Sequence, residues 1–526
     1  MKILKAEEMA FADENTIKLT GIPSLVLMEN AGRTTAEIIL KRYSDKNNFT
    51  IIAGSGNNGG DGLVVARYLQ RYGKNVEIFI LADSRSKLSA DNLKNLEIIE
   101  INGGKVFIGG EEKIPKIRNG IKNSDVVIDA IFGTGFRPPV KGYREKVIEI
   151  INKYSKNTVS IDIPSGLSAN TGKIEGSFVK SNLTVTFAYP KLAHILYPAS
   201  EFCGEVYVID ISIDENYLKE VHRYLILPEN LKLPERKKDS HKYNYGHVLI
   251  IGGSVGKTGA VIMSSKSANV SGAGLVTAVI PKSLDPILEQ NLIEEMTIPV
   301  DEKNGLFGKK AKFEILDIIK NGKFTSIVVG MGMSVNEHTT DLVNKLLNIK
   351  MPLVIDADGL NNLAIIDNFE EKLRKRKFPT VLTPHVGEMS RLTGIPTKEI
   401  NENLEKTAKK FAQKTGCFVV LKSSRTIIAT PDEKVFYSIR GNEGMATAGT
   451  GDVLSGILGT LINRLPVEEA VKLGVYLHGL SGDLAVEETG KESLKATDLI
   501  KYIPFAYKKL NAEKEKKHLS FYRKII

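Results

Sequence analysis

Tryptophan is absent from this 526-residue chain, and cysteine occurs only twice, at Cys203 and Cys417. Two isolated cysteines offer neither a disulfide framework nor the paired spacing of a zinc site. The eight histidines show no metal-ligand spacing either. No apolar run approaches the ~18 residues from which a membrane span is read. The amino-terminal MKILKAEEMAFADENT lacks the apolar stretch of a signal peptide, so a reducing cytoplasm is the expected location. Fixed-period repeats and low-complexity segments are missing as well. The formal net charge of +10 raises the nucleic-acid class. The lysines, however, are mixed with glutamates and gather in a linker-like stretch and in the closing KKLNAEKEKKHLSFYRKII rather than on one stripe. Neither nucleic acid nor a membrane is therefore an expected partner.

What is present reads as an ordinary globular chain, with 42% hydrophobic and 25% charged residues,. Its length exceeds what one core supports, so at least two domains are expected. In the first half FTIIAG (49–54), VEIFIL (76–81), VVIDAIFG (126–133), VSIDIPSG (159–166) and LTVTFA (183–188) are continuous apolar runs, as in parallel strands covered on both faces. Helical patterns separate them; GLVVARYLQRYG (62–73) closes on a glycine C-cap signal at Gly73. EVYVIDIS (205–212) ends the series. Two prolines and a dense charge run then mark a joint at about 212–241, for which an exposed helix and loop inside one domain is the alternative. The second half repeats the grammar with HVLIIGG (247–253), LVTAVI (275–280), SIVVGMG (326–332), LVIDADG (353–359), TVLTPH (380–385) and FVVLKS (418–423). Both halves are thus expected to be α/β open sheets.

Chemistry-bearing residues gather at predicted strand ends, where open α/β sheets bind ligands. GSGNNGGDG (54–62) follows a strand and opens a helix. Gly54, Gly56 and Gly59 satisfy G-x-G-x-x-G, but Asn57, Asn58 and Asp61 add amides and a carboxylate that a plain dinucleotide turn does not need. Asp129 ends a second strand, with Gly133 and Gly135 behind it; Asp162 and Ser165 end a third. Asn58, Asp129 and Ser165 could together suit a hard cation, while the plainer reading makes Asp129 and Asp162 caps of the following turns.

GIPSLVLMENAGR (21–33), GSGNNGGDGLVVARYL (54–69), IDIPSGLSANTG (161–172) and FAYPKLAHILYP (187–198) together resemble the epimerase domain of NAD(P)H-hydrate repair enzymes, across about residues 1–215. The resemblance implies a Rossmann-like three-layer sandwich. It implies that Asn57, Asn58, Gly59, Gly60 and Asp61, with Gly133, Thr134, Gly135, Phe136, Arg137, Pro138 and Pro139, hold the hydrated dinucleotide. A potassium ion is implied at Asn58, Asp129 and Ser165, and Asp162 faces the damaged nicotinamide ring. The chemistry agrees with that placement. The hydrate is a hemiaminal, so losing its hydroxyl gives an iminium, and water returning to the other face inverts the centre. One carboxylate, Asp162, can serve as acid and then base.

In the second half GGSVGKT fails as a P-loop, because the spacing from Gly252 needs glycine where Lys257 stands. GNEGMATAGTGDVLSG (441–456) is instead a glycine-rich turn feeding a helix, a ready phosphate cradle with one carboxylate, Asp452. Together with HKYNYGHVLIIGGSVGKTGA, VVGMGMS, IDADGLN, LTPHVGEMSRL and VLKSSRTII it resembles the dehydratase domain of the same repair enzymes, across about 240–505. A ribokinase-like fold follows from that likeness. So does a nucleotide site of Lys422, Ser423, Ser424, Arg425 and Thr426 with the loop Asn442, Glu443, Gly444, Met445, Ala446, Thr447, Ala448, Gly449, Thr450 and Gly451. Ala260, Gly332, His385, Val386, Gly387, Glu388, Met389, Ser390, Arg391 and Asp452 are implied to face the hydrate. Two departures stand out: Ser423 replaces the usual glycine after the lysine, and Lys242-Tyr243 replaces Lys-Gly after His241.

Asp452 beside phosphate donors can take the proton of a substrate hydroxyl, so that phosphorylation turns hydroxide into a good leaving group. Its plain alternative is a helix N-cap; His385 could equally be a satisfied core histidine, and His478 reads as packing. The expected layout is 1–215 epimerase, 216–240 linker, 241–510 dehydratase and 511–526 basic tail. ADP, or ATP, is the expected phosphoryl donor with Mg2+, and NADH and NADPH hydrates are the expected substrates of a homo-oligomer. The competing readings are a ribokinase-like vitamin or sugar kinase with a fused non-catalytic binding domain, and a scaffolding role for residues 1–215.

Overall fold

The computed structural model describes residues 1–515 and 522–526. It divides into two compact units, one of Met1–His222 with the carboxyl-terminal end of the chain, the other beginning at Arg223.

In the first unit the strands are β1 (Asn48–Ala53), β2 (Asn75–Ile80), β3 (Val106–Ile108), β4 (Val126–Ala130), β5 (Thr158–Ile161), β6 (Leu183–Phe187) and β7 (Glu205–Ile209). They lie in the order β3-β2-β1-β4-β5-β6-β7, all parallel, and Tyr522–Lys524 adds an antiparallel edge to β7. Alternate residues feed two cores. Ile51, Ala53, Ile78 and Ile128 pack with one set of helices, and Ile52, Phe79, Val127 and Ile131 with another, giving three layers. Burial on both faces is why these strands read as unbroken apolar runs. The chain leaves β1 toward β2 and β3, then returns to β4 beside β1, so the order reverses between β1 and β4. Ligands of open α/β sheets enter at such a point. A Cβ on Gly54, just after β1, would collide with the Ile131 carbonyl just after β4. The two loops meet there only because residue 54 has no side chain.

The second unit carries β8 (Arg223–Leu225), β9 (His247–Ile251), β10 (Leu275–Pro281), β11 (Met296–Val300), a hairpin of β12 (Glu302–Lys303) and β13 (Leu306–Phe307), β14 (Ser326–Val329), β15 (Leu353–Ile355), β16 (Thr380–Leu382), β17 (Phe418–Leu421), β18 (Ile427–Ala429) and β19 (Val435–Tyr437). The main sheet runs β11-β10-β9-β14-β15-β16-β17-β18-β19-β8. It is parallel from β11 to β17, then antiparallel across β17, β18 and β19. Its reversal lies between β9 and β14, where a Cβ on Gly252 would run into the Met331 carbonyl.

The stretch expected to be a linker, 216–240, differs from that reading. Its Arg223–Leu225 pairs in parallel with β19, and Arg223 ion-pairs with Glu405 at 3.0 Å. A three-residue strand is too short to register as a periodic pattern against flanking prolines and charges. Of the expected basic tail at 511–526, residues 516–521 lie outside the described residues. Its first residues complete the helix Ala496–Glu515, and Tyr522–Lys524 joins the first unit's sheet. Among the described residues no helix is long and apolar enough to cross a membrane.

Candidate active sites

At the first unit's reversal point the helix Asn57–Arg71 starts from Gly56, which has no side chain to cap it. Gly59 and Gly60 face inward: added Cβ atoms would collide with the Gly54 carbonyl and come within 2.7 Å of Met28 Cε. Asn57 is exposed. Asn58 turns into the site, and both polar atoms of its amide are buried without a partner among the described residues. Its Cβ and Cγ lie 3.2 Å from where a Cβ on Gly133 would be, and so does Asp162 Oδ2. Asn58, Gly133 and Asp162 therefore converge on one spot.

Asp162 sits just beyond β5 with φ of 66°. A non-glycine residue held there is strained, and such strain persists only where surroundings fix it. Here they do. Oδ2 accepts the Thr134 N–H at 3.0 Å, while Oδ1 accepts Thr186 Oγ1 at 3.1 Å and Lys191 Nζ at 2.6 Å. Lys191 is 1% exposed. Burial acts to raise the Asp162 carboxyl, but the Lys191 ammonium overcomes it and holds the group below its usual range. Neighbouring carboxyls go the other way. Burial pushes Asp13 up to about 6, and burial with the Asp162 charge pushes Asp61 well above the usual range. His194 is driven down to about 3 by burial and the nearby Lys191 charge, so its ring is neutral.

Asp129 is buried within β4, where Oδ1 accepts Ser165 Oγ at 2.5 Å and Oδ2 accepts Ser160 Oγ at 2.7 Å and the Ser165 N–H at 2.9 Å. Ser165 Oγ also accepts the Phe132 N–H at 2.9 Å. Asp129 Oδ1 also accepts the Ile131 N–H of its own following turn at 3.3 Å, as the plainer reading has it, but both aspartates bind across to another loop as well. In the loop after β4, Phe136 stacks on Phe132 with ring centroids 4.2 Å apart, and Gly135, Arg137 and Pro139 are exposed. Pro138 is half-buried.

In the second unit the glycine-rich turn ends at Gly449 (φ 93°), the N-cap of the helix Thr450–Leu461. Asp452 thus lies inside the first turn rather than at the cap, which removes its plain capping role. Burial, reinforced by the Asp356 charge, lifts its carboxyl to about 7 against the pull of Lys422. Lys422, just beyond β17, bonds Asp356 Oδ1 at 2.7 Å, and Asp356 Oδ2 accepts Ser455 Oγ at 2.5 Å. Its Nζ lies 3.2 Å from where a Cβ on Gly451 would be. A cation therefore faces the start of this helix, where N–H groups and the helix dipole already favour an anion. Glu388 is buried near the same lysine and is raised to about 7, by burial first.

His385 proves to be an N-cap: Nδ1 accepts the Gly387 N–H at 2.9 Å and the Glu388 N–H at 3.3 Å, and its side chain is 53% exposed. Met389 lies in the core and Ser390 turns its hydroxyl to the Ile395 carbonyl, so neither side chain reaches outward. Val386 and Gly387 are partly exposed in the first turn. Arg391 is exposed and linked through Asn361 to Asp358, which Lys257 contacts at 3.2 Å. A Cβ on Gly332 would stand 3.3 Å from that of Ala260, so these two small residues face each other.

Ser423 Oγ donates to the Arg425 carbonyl at 2.6 Å, and its backbone is not left-handed, so serine fits where glycine is usual. Ser424 is exposed, Thr426 half-buried, and buried Arg425 donates to the Ile439 carbonyl. Tyr243 is 51% exposed in a turn before β9. In the loop, Asn442 Oδ1 accepts the Gly444 N–H, and Glu443 pairs with Lys491. Ala446, Thr447 and Ala448 are exposed; Thr450 Oγ1 donates to the Met445 carbonyl. His478 is packing, as expected, but its Nε2 also lies 2.8 Å from the Thr450 carbonyl. Lys191 and Asp356 escaped the sequence reading. The only signal was their place inside FAYPKLAH and IDADG.

Comparison with known families matches a stretch of each unit. The family described as YjeF-related protein N-terminus matches residues 24–193, and that described as NAD(P)H-hydrate dehydratase matches residues 248–505. The bifunctional NAD(P)H-hydrate repair enzyme Nnr of Moorella thermoacetica is 39% identical over 526 residues, 98% of each chain. That of Thermofilum pendens is 37% identical over 518 residues, again 98% of each. A crystal structure of ADP/ATP-dependent NAD(P)H-hydrate dehydratase from Bacillus subtilis, co-crystallised with ATP/Mg2+, is 28% identical with a TM-score of 0.49, covering 55% of this chain and 98% of that one.

Proposed function

Since the chain belongs to the bifunctional NAD(P)H-hydrate repair enzymes, we propose how its two sites divide the work. It interconverts the R and S epimers of hydrated NADH and NADPH and dehydrates the S form to the intact cofactor. The observation that carries this reading is that each matched region holds an aspartate with a shifted carboxyl, buried Asp162 just beyond β5 and partly buried Asp452 in the first turn of the helix Thr450–Leu461.

We assign epimerisation to the first unit. The open start of the helix at Asn57 suits a dinucleotide phosphate, and Asp162 faces the ring. Residues 133–139 would line the other side. Potassium fits here: Asn58 offers an unpartnered buried amide oxygen, Asp129 a buried carboxylate and Ser165 a polar backbone and hydroxyl. These three would hold the ion, which would supply a fixed positive charge beside the anionic ligand.

We assign dehydration to the second unit. The loop 442–451 and residues 422–426 would hold ADP, our choice of donor over ATP, together with Mg2+. Asp452 takes the proton of the hydrate hydroxyl, and Lys422 with the start of the helix Thr450–Leu461 stabilises the phosphoryl group in flight. The ring nitrogen lone pair then expels phosphate to give an iminium, and loss of a proton from the adjacent ring carbon restores the ring double bond, leaving AMP and NAD(P)H. His385, Arg391, Ala260 and Gly332 would position the hydrate. We further propose a cytoplasmic homo-oligomer.

A vitamin or sugar kinase would accumulate a phosphorylated product. With S-NADH hydrate and ADP, inorganic phosphate should instead appear in step with NADH absorbance, one for one. A stable phosphorylated species in place of free phosphate would overturn the assignment.

A further inference from the structure

We propose that Lys191 is the proton reservoir of the first site, passing one proton to the substrate and back through the Asp162 carboxylate. The inference rests on the epimerase reading of that site and deepens it.

Lysine is rarely fully buried, and then almost always paired. Lys191 lies in the interior with all three ammonium donors used, on Asp162 Oδ1 at 2.6 Å, Thr186 Oγ1 at 2.8 Å and the Phe187 carbonyl at 3.1 Å. The two oxygens of Asp162 face different partners. Oδ1 is turned to Lys191 and Thr186; Oδ2 is turned to the Thr134 N–H and to Gly133, beside which Asn58 also lies. Those hydrogen bonds set that division in the resting site. One carboxylate thus bridges a hidden ammonium and the place a ligand would occupy.

The chemistry needs such a bridge. The carbon–oxygen bond of the hemiaminal breaks, the ring nitrogen lone pair forms the iminium, and the departing oxygen needs a proton to leave as water. An Asp162 carboxylate held ionised by its partner has no proton of its own. If Nζ–H passes its proton to Oδ1, and the neutral acid so formed makes a half turn about its Cβ–Cγ bond and delivers that same proton to the leaving oxygen, the products are a neutral amine, the same carboxylate, water and the iminium. Charge is conserved, since the cation moves from Lys191 to the ring instead of a second cation forming beside it. When water adds to the other face, its proton returns along the same path. The other ionisable groups around the pair are Asp13 from the helix Ala6–Thr20, Asp61 from the helix Asn57–Arg71 and His194 from the short helix Leu192–Ile195, with Asp91 acting on Asp61. His194 accepts the Lys191 backbone N–H and is neutral, so it does not compete as a donor.

The test uses the full chain and follows interconversion of separated R and S NADH hydrates. Lys191→Met should slow it by about 100-fold or more, the lower end of what a placed proton donor contributes. Arginine keeps the charge but does not release its proton. Lys191→Arg should therefore stay slow while its KM for the hydrate moves far less than its kcat. The same preparations should still dehydrate the S epimer with nucleotide, which separates a lost proton path from a lost fold. Lys191→Arg within about threefold of wild type would reduce Lys191 to holding charge and overturn the relay. Wild type that leaves the epimers untouched would overturn the epimerase reading itself.

Discussion

At the residue scale, the second site turns on Asp452. A base must be ionised to take a proton, and this carboxyl is lifted to about 7. Dehydration should therefore rise with pH through about 7 and level off above it. Asp452→Asn should lower it by a factor on the order of 100 or more while leaving epimerisation intact. Stability runs in the opposite sense. A carboxyl whose folded value is raised holds its proton more tightly when folded, so its contribution is full below about 4 and is lost as pH rises through about 7,. Asp452→Asn should accordingly melt higher than wild type at pH 8, and an unchanged or lower melting temperature would argue against the buried, raised carboxyl. Asp452 and Asp162 were legible in the sequence because glycines and strand ends surround them. Lys191 and Asp356 were not, because their partners Asp162 and Lys422 lie far away along the chain and meet only across a folded sheet.

At the element scale, close backbone approach builds both sites. The helix Thr450–Leu461, which presents Asp452, lies against Thr258–Val270, and a Cβ on Gly456 would collide with the Ser264 carbonyl and Ser267 Oγ. Backbone cannot yield as a flexible side chain can. Gly456→Ala should cost about 1–3 kcal/mol, as overpacking does, and should show as a lower melting temperature with reduced dehydration. Gly135→Ala, with nothing within 4 Å, should leave the melting temperature within about a degree,. If the two behave alike, helix packing does not explain Gly456. The buried parallel strands were legible because hydrophobic burial on two faces leaves an unbroken apolar run. β3, β8, β18 and β19 were not: each has three residues and depends on its neighbour for its hydrogen bonds, whereas the equally short β15 and β16 were read from LVIDADG and TVLTPH.

At the scale of the whole molecule, the same device occurs twice: a doubly wound sheet, a reversal of strand order, and a glycine contact between the loops that flank it. The first site pairs a strained aspartate with a hidden lysine. The second pairs a raised aspartate with a lysine at a helix start. The α/β class and the presence of two units were legible in the repeated strand grammar. That Arg223–Leu225 and Tyr522–Lys524 complete the two sheets was not, because edge pairing is decided by what lies alongside and not by the segment itself. Two sites with separate chemistry make one measurement decisive: recovery of NADH absorbance from mixed R and S hydrates with ADP or ATP and Mg2+. Wild type should restore the whole mixture, and Asp162→Asn should stop once the S share is consumed. No recovery by wild type with either nucleotide, or full recovery by Asp162→Asn at the wild-type rate, would contradict the division of labour between the two aspartates.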